Sequence, residues 1–167
     1  MKKLISSIFL TLFATLTPLN LADAVTFKEN PENEFTSQLK EKRVLINEKV
    51  KDNKTIQTSI NKKSKEASDL YMLVFSGPIP PSDEDRKKVE MMEMDLGTIA
   101  EQIALTEKAI ARRVKAVNLS LKNQDYNQAL SGYDIIVDLM GKQHSNLKKQ
   151  EETLTKYINF LQSLRHK

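Results

Sequence analysis

The chain has 167 residues, 40 % of them hydrophobic, and its 26 Lys and Arg against 22 Asp and Glu give a formal net charge of +4. This composition supports one domain with a modest core. The absence of Cys excludes a disulfide scaffold, thiol chemistry and a cysteine-based zinc site. Two His, four Gly and no glycine-rich loop leave little for a histidine metal site or a phosphate cradle. We therefore expect no cofactor and no enzymatic activity.

The N-terminal segment has the order of features found in a secretory signal peptide. Two lysines follow Met1, a largely apolar run covers residues 4–16, and small residues flank Asp23. The apolar run is shorter than the roughly 20 residues that a membrane-spanning helix needs. We predict a cleaved signal peptide over 1–24, with cleavage after Ala24. The alternative is an N-terminal helical anchor that stays attached. Residues 25–34 lack periodicity and predict a flexible leader.

Seven-residue apolar series then predict three long helices, over 35–75, 83–122 and 126–165. The series of the first helix is Leu39, Ile46, Ile60, Ala67 and Val74. It is interrupted by Asn53, and a polar residue at such a position commonly sets helix register. The series of the second helix is Val89, Leu96, Ile103, Ile110 and Val117. The series of the third is Tyr126, Tyr133, Met140, Leu147, Leu154 and Leu161.

Two short connections separate these helices. Three prolines and a glycine between residues 76 and 81 cannot continue a helix. Ser82, followed by three carboxylates, is a favourable helix start. Because short connections make neighbouring helices antiparallel, residues 35–167 predict an all-α fold, an elongated antiparallel three-helix bundle with coiled-coil-like packing. The alternative is a hairpin of the second and third helices, with the first docking elsewhere or exchanged in a dimer.

Charged residues show no catalytic or metal-binding pattern. The carboxylates between Asp83 and Asp95 lack EF-hand spacing, and we interpret them as a solvated helix start. His144 and His166 lie 22 residues apart on one predicted helix, too far to share a metal. Residues 40–66 carry nine basic and four acidic side chains. We interpret them as a solvated basic face and expect its partner to be the acidic start of the second helix. The alternatives are contact with anionic lipid, an acidic wall polymer or nucleic acid, and export argues against the last.

The most unusual stretch is the apolar run 70–75, followed by Ile79 beyond the turn. Six consecutive apolar residues exceed what one helical face can bury. We predict a partner-binding tip formed by Tyr71, Phe75, Ile79 and Pro80. The alternative is that Tyr71, Phe75 and Ile79 close the end of the core.

These patterns favour an exported, non-enzymatic helical protein that acts by protein–protein contact in the bacterial envelope or outside the cell. Suitable roles are an adhesin or tip subunit, an assembly factor, or an accessory component of a secretion apparatus. The partner would be another envelope or secreted protein, and a homo-oligomer is compatible with the helices. Alternatives are a lipid- or wall-polymer-binding protein that contacts an anionic membrane surface, a periplasmic holdase, or an inhibitor.

Overall fold

The computed structural model describes residues 34–165, of which 92 % are helical. Three helices follow in order, α1 (Glu34–Phe75), α2 (Asp83–Lys122) and α3 (Tyr126–Arg165). The all-α class and the three helices are therefore confirmed. Glu34, predicted as the last leader residue, is the first residue of α1. The predicted signal peptide, its cleavage site at Ala24 and the rest of the leader lie outside the described residues.

The described residues form two compact units, and each unit takes a segment from all three helices. The first unit contains residues 55–102 and 146–165, and the second contains residues 34–54 and 103–145. Each helix thus contributes to both units. Within each unit, the buried apolar residues follow the seven-residue series, because this spacing returns a side chain to nearly the same face of a helix.

The core of the first unit combines apolar residues of the three helices. Its buried side chains include Ile60 and Ala67 from α1, Val89, Leu96 and Ile99 from α2, and Leu147, Leu154, Tyr157 and Leu161 from α3. Two side-chain hydrogen bonds beside this core show which helices are in contact. Ser59 of α1 bonds to Glu151 of α3, and Tyr157 of α3 bonds to Glu93 of α2. α3 therefore packs against both other helices in this unit.

The second unit has a comparable core. Its buried cluster consists of Leu39, Ile46, Ile110, Val117, Ala129, Tyr133, Ile136 and Met140. Tyr126 is the exception among the predicted positions of α3, since it is 44 % exposed. As the first residue of α3, it has no preceding turn to pack on, and its ring lies tilted against Phe35 with 4.3 Å between ring centroids.

Contacts within the second unit define the helix directions. Lys42 pairs with Asp134 and Asn53 bonds to Gln143, so residue numbers rise together along α1 and α3. Gln143 bonds to Glu107, whereas Gly132 lies against Val117, so α2 runs opposite to α3. α1 and α3 are parallel to each other here, and α2 is antiparallel to α3.

The turn between α2 and α3 is closed by backbone hydrogen bonds. Asp125 N donates to Ser120 O over 2.9 Å, and Gln124 N donates to Leu121 O over 3.1 Å. This pair of bonds is the Schellman arrangement, which requires a left-handed residue. Gln124 adopts that conformation with φ of 59°, although glycine fits it better. The Asp125 carboxylate then accepts the Gln128 backbone N–H and caps α3.

Gly132 marks the closest approach between α2 and α3. A Cβ on Gly132 would lie 2.4 Å from Cγ2 of Val117, a side chain that is only 2 % exposed. Val117 is β-branched and has few alternative rotamers in a helix, so it cannot move aside easily. A Cβ on Gly141, in contrast, would meet nothing within 4 Å. The two glycines of α3 therefore have different physical roles.

We expect Gly132→Ala to destabilise the protein by about 1–3 kcal/mol, because the added methyl overpacks the contact with Val117. Gly141→Ala is the matched control and should stabilise it by up to about 1 kcal/mol through helix propensity. Urea denaturation followed by circular dichroism measures both. Equal effects of the two substitutions would contradict the close approach at Gly132.

Candidate functional site at the turn between α1 and α2

The chain turns sharply after α1. Ser76 N donates to Met72 O over 3.0 Å and completes the last turn of the helix. A Cβ on Gly77 would lie 3.1 Å from the carbonyl oxygen of Leu73, so a residue without a side chain allows this tight exit. Pro78 and Pro80 then prevent the helix from continuing. The result is a short, proline-rich connection that leads directly into α2.

Ser82 caps α2 as the sequence predicts. The Asp85 backbone N donates to Ser82 Oγ over 3.1 Å, and Ser82 Oγ donates to Asp85 Oδ2 over 2.8 Å. The two side chains thus satisfy each other at the helix start, where the dipole favours negative charge. Glu84 pairs with Lys88 one turn later, with 2.8 Å between Oε1 and Nζ. No group of three or more metal-ligating side chains occurs among residues 34–165.

The four residues predicted to bind a partner, Tyr71, Phe75, Ile79 and Pro80, lie around this turn, and we call them the tip cluster. Tyr71 and Phe75 stack, with ring centroids 4.3 Å apart and planes inclined by 18°, and both are half-buried. Ile79 is 73 % exposed, and Pro80 is exposed as well. The tip cluster therefore consists of an aromatic pair on α1 and two solvent-facing residues in the loop.

The apolar run 70–75 divides between the core and the solvent. Leu70 and Val74 are buried, whereas Met72 and Leu73 are more than half exposed. The alternative in which the aromatic residues and Ile79 together close the core is wrong for Ile79, because nearly three quarters of its surface faces solvent. Exposed apolar side chains thus surround the turn on the α1 side and in the loop, an arrangement typical of interaction sites.

A half-buried carboxylate, that of Glu93, lies in the same unit. Tyr157, which is fully buried, donates its hydroxyl to Glu93 Oε1 over 2.8 Å. Burial raises the pKa of Glu93, although the bond from Tyr157 opposes this shift. Burial, together with the charges of Glu93 and Glu90, raises the pKa of Tyr71. The Tyr157 phenol, with its pKa raised mainly by burial, remains a protonated donor. The hydrogen bond between Tyr157 and Glu93 is a structural contact between α3 and α2.

The sequence placed Glu93 among the solvated carboxylates and did not pair it with Tyr157. Its spacing could have indicated this contact, since Glu93 is four residues after Val89 and three before Leu96, both of which are buried. A residue at this spacing lies beside the apolar face of a helix. A carboxylate there needs a hydrogen-bond donor on the facing helix.

A polar layer crosses the second unit, and we define it by Asn53, Gln143, His144 and Glu107. Asn53 is 7 % exposed, donates from Nδ2 to Gln143 Oε1 over 3.0 Å, and contacts His144 Nδ1 through Oδ1 at 2.9 Å. Gln143 Nε2 donates to Glu107 Oε1 over 3.1 Å. Because this chain of donors ends on a carboxylate, the network assigns the proton to Nδ1 of His144. Burial raises the pKa of Glu107, and the bond from Gln143 opposes it.

The basic stretch of α1 has partners on α3. Lys42 pairs with Asp134, and Lys63 pairs with Glu151 at 3.0 Å. We expected the acidic start of α2 to be the partner. After burial, the charges of Glu93 and Glu90 on α2 are what raise the pKa of Tyr71, so the start of α2 lies near the end of α1. The whole basic stretch, residues 40–66, precedes Tyr71 along α1.

Comparisons with known proteins give no relative. No protein-family model matches the sequence, and neither a curated protein nor a solved structure matches it. Along residues 34–165, no helix combines the length and the apolar character needed to cross a bilayer.

We expect Glu93→Gln to stabilise the protein at pH 7, and this gain should vanish as the pH falls to about 4. Since burial raises the pKa of Glu93, the folded state favours the protonated carboxyl, and ionisation opposes folding as the pH rises above the ordinary carboxyl range. Glutamine keeps an acceptor for Tyr157 without the charge.

The measurement is the melting temperature of both proteins between pH 4 and pH 7. Glu152→Gln removes an exposed carboxylate from α3 in the same unit and serves as the control. A gain for Glu93→Gln that increases toward acid pH would contradict this account.

Proposed function

We propose that this protein is exported, has no catalytic activity, and binds another envelope or secreted protein through the tip cluster. The observation that carries the proposal is the exposure of Ile79, at 73 %, beside the stacked pair of Tyr71 and Phe75. Suitable roles are a tip or adhesin subunit, or an accessory factor in assembly or secretion. The proposal includes a signal peptide cleaved after Ala24, and an elongated, coiled-coil-like antiparallel bundle.

The local structure supports binding at the tip cluster in two ways. Stacking holds Tyr71 and Phe75 in one arrangement, so a partner that contacts their exposed edges would order few additional side chains. The prolines on both sides of Ile79 restrict the loop backbone, which further reduces the entropy lost on binding. An aromatic pair next to a fixed aliphatic side chain is the kind of anchor found at the centre of protein interfaces.

Photocrosslinking in living cells of the source organism tests the proposal. A photoreactive amino acid replaces Ile79 in the full chain, and the matched control carries it at Val44, which is 52 % exposed on α1. We expect a discrete protein adduct from position 79 and none of the same mass from position 44. Mass spectrometry of the mature chain, expected to begin at Val25, checks export in the same cells.

Two outcomes would contradict the proposal. Adducts from position 79 that contain only lipid would favour a membrane surface as the ligand. Links confined to the chain itself would show that the tip cluster packs internally in the cell.

A further inference from the structure

The outward face of α2 in the second unit carries a row of cations, which we call the basic stripe. It consists of Lys108, Arg112, Lys115 and Lys122, and all four side chains are exposed. Their positions fall within a narrow sector of the helix, because spacings of three, four and seven residues return to nearly the same direction. Lys122, in the last turn, also complements the helix dipole.

The basic stripe is not neutralised by the residues around it. None of its four cations has an ion pair or hydrogen bond with any residue between 34 and 165. The single carboxylate between residues 103 and 122 is Glu107, which accepts the bond from Gln143 of α3. On α1, in contrast, Lys42 and Lys63 have carboxylate partners. The basic stripe is therefore a positive surface without an internal counter-charge.

The residues on this face of α2 recur every seven positions, which is the spacing of a helix-packing surface. Leu105, Arg112 and Leu119 form one seven-residue series, and Lys108, Lys115 and Lys122 form a second, three residues later. Leu105 is 58 % exposed and Leu119 is 59 % exposed. These positions have the a and d spacing of a coiled-coil seam, although they face solvent.

Small side chains border this face on both sides. Ala104 and Ala111 lie along one edge, and Ala109 and Ala116 lie along the other. A second helix can therefore approach along the stripe without meeting large flanking side chains. The leucines, 14 residues apart, span roughly 21 Å of helix, or about four turns.

We propose that the basic stripe docks an amphipathic helix of a partner protein, with carboxylates facing the four cations and apolar side chains facing Leu105 and Leu119. Charge complementarity identifies the chemistry, and the two seven-residue series identify a helix as the occupant. A second copy of the same stripe is disfavoured, since like charges would face each other. A membrane surface would contact a broader face than one row of a helix presents. This inference is independent of the tip cluster.

The probe is a fluorescently labelled helical peptide of about three heptads, with Leu at a and Glu at d, e and g. Its binding to the full chain is measured by fluorescence anisotropy at about 50 mM and about 150 mM salt. The test variant is K108E/K115E. The matched control is K142E/K149E, which reverses two exposed lysines of α3 that are also seven residues apart.

We expect the peptide to bind, more weakly at higher salt, and K108E/K115E to lower its affinity at least about tenfold. The control alters the net charge equally, but its two lysines lie outside the basic stripe. It should therefore change the affinity by less than about threefold. A peptide with Lys in place of Glu should bind K108E/K115E better than the wild-type protein. Circular dichroism should show the same helicity for both variants.

Three results would overturn the proposal. The first is no peptide binding at the lower salt concentration. The second is an equal loss of affinity in K142E/K149E, which would indicate a general charge effect. The third is binding to phosphatidylglycerol-containing vesicles that depends on Lys108 and Lys115 while the peptide does not bind, which would assign the stripe to a lipid surface.

Discussion

The hydrogen bonds of Asn53 determine how α1 aligns with α3 in the second unit. Apolar residues that repeat every seven positions pack nearly as well after a shift of seven, so the core alone does not select one alignment. Asn53 is buried and finds donors and acceptors on Gln143 and His144. A shifted helix would leave a buried amide without these partners, at a cost of about 1–3 kcal/mol for each unsatisfied group.

Polar contacts of this kind recur where the cores are otherwise apolar. The polar layer extends from Asn53 through Gln143 to Glu107, and therefore connects all three helices of the second unit. In the first unit, Tyr157 and Glu93 connect α2 and α3. Because buried polar contacts align the helices, the outward-facing side chains are not needed for alignment and can form binding surfaces. The tip cluster and the basic stripe are two such surfaces, one mainly apolar and the other cationic.

The seven-residue series predicted which residues are buried, and did so because burial on a helix follows directly from spacing. The series of α2 is buried from Val89 to Val117, and on α3 only Tyr126 departs from it. Asn53 was recognised as a polar residue in a seam. Its partners could not be predicted, because Asn53 and Gln143 are 90 residues apart in sequence. Which residues of α3 lie opposite Asn53 depends on how the two helices align. Asp134 and Glu151, the acidic partners of Lys42 and Lys63, were not predicted for the same reason.

The candidate sites were predicted less completely. An excess of apolar residues indicated the tip cluster, but only the structure shows that Ile79, Met72 and Leu73 are more than half exposed. The basic stripe was overlooked because α1 has more lysines in its sequence. Net charge along a helix does not reveal which cations are paired, and Lys42 on α1 is paired whereas Lys115 on α2 is not. The close contact between Gly132 and Val117 likewise depends on the alignment of two helices, and the sequence does not indicate it.

Because the chain has no cysteine, cross-linking of introduced cysteine pairs tests the alignment most directly. Lys42→Cys is combined with Asp134→Cys for the observed alignment, and with Asn127→Cys or Gly141→Cys for shifts of one heptad. A short bismaleimide should link 42 to 134 far more than to 127 or 141. In an Asn53→Leu background, which removes the polar constraint, links at a shifted position should increase. Equal linking of the three pairs in the presence of Asn53 would contradict the claim that this residue selects one alignment.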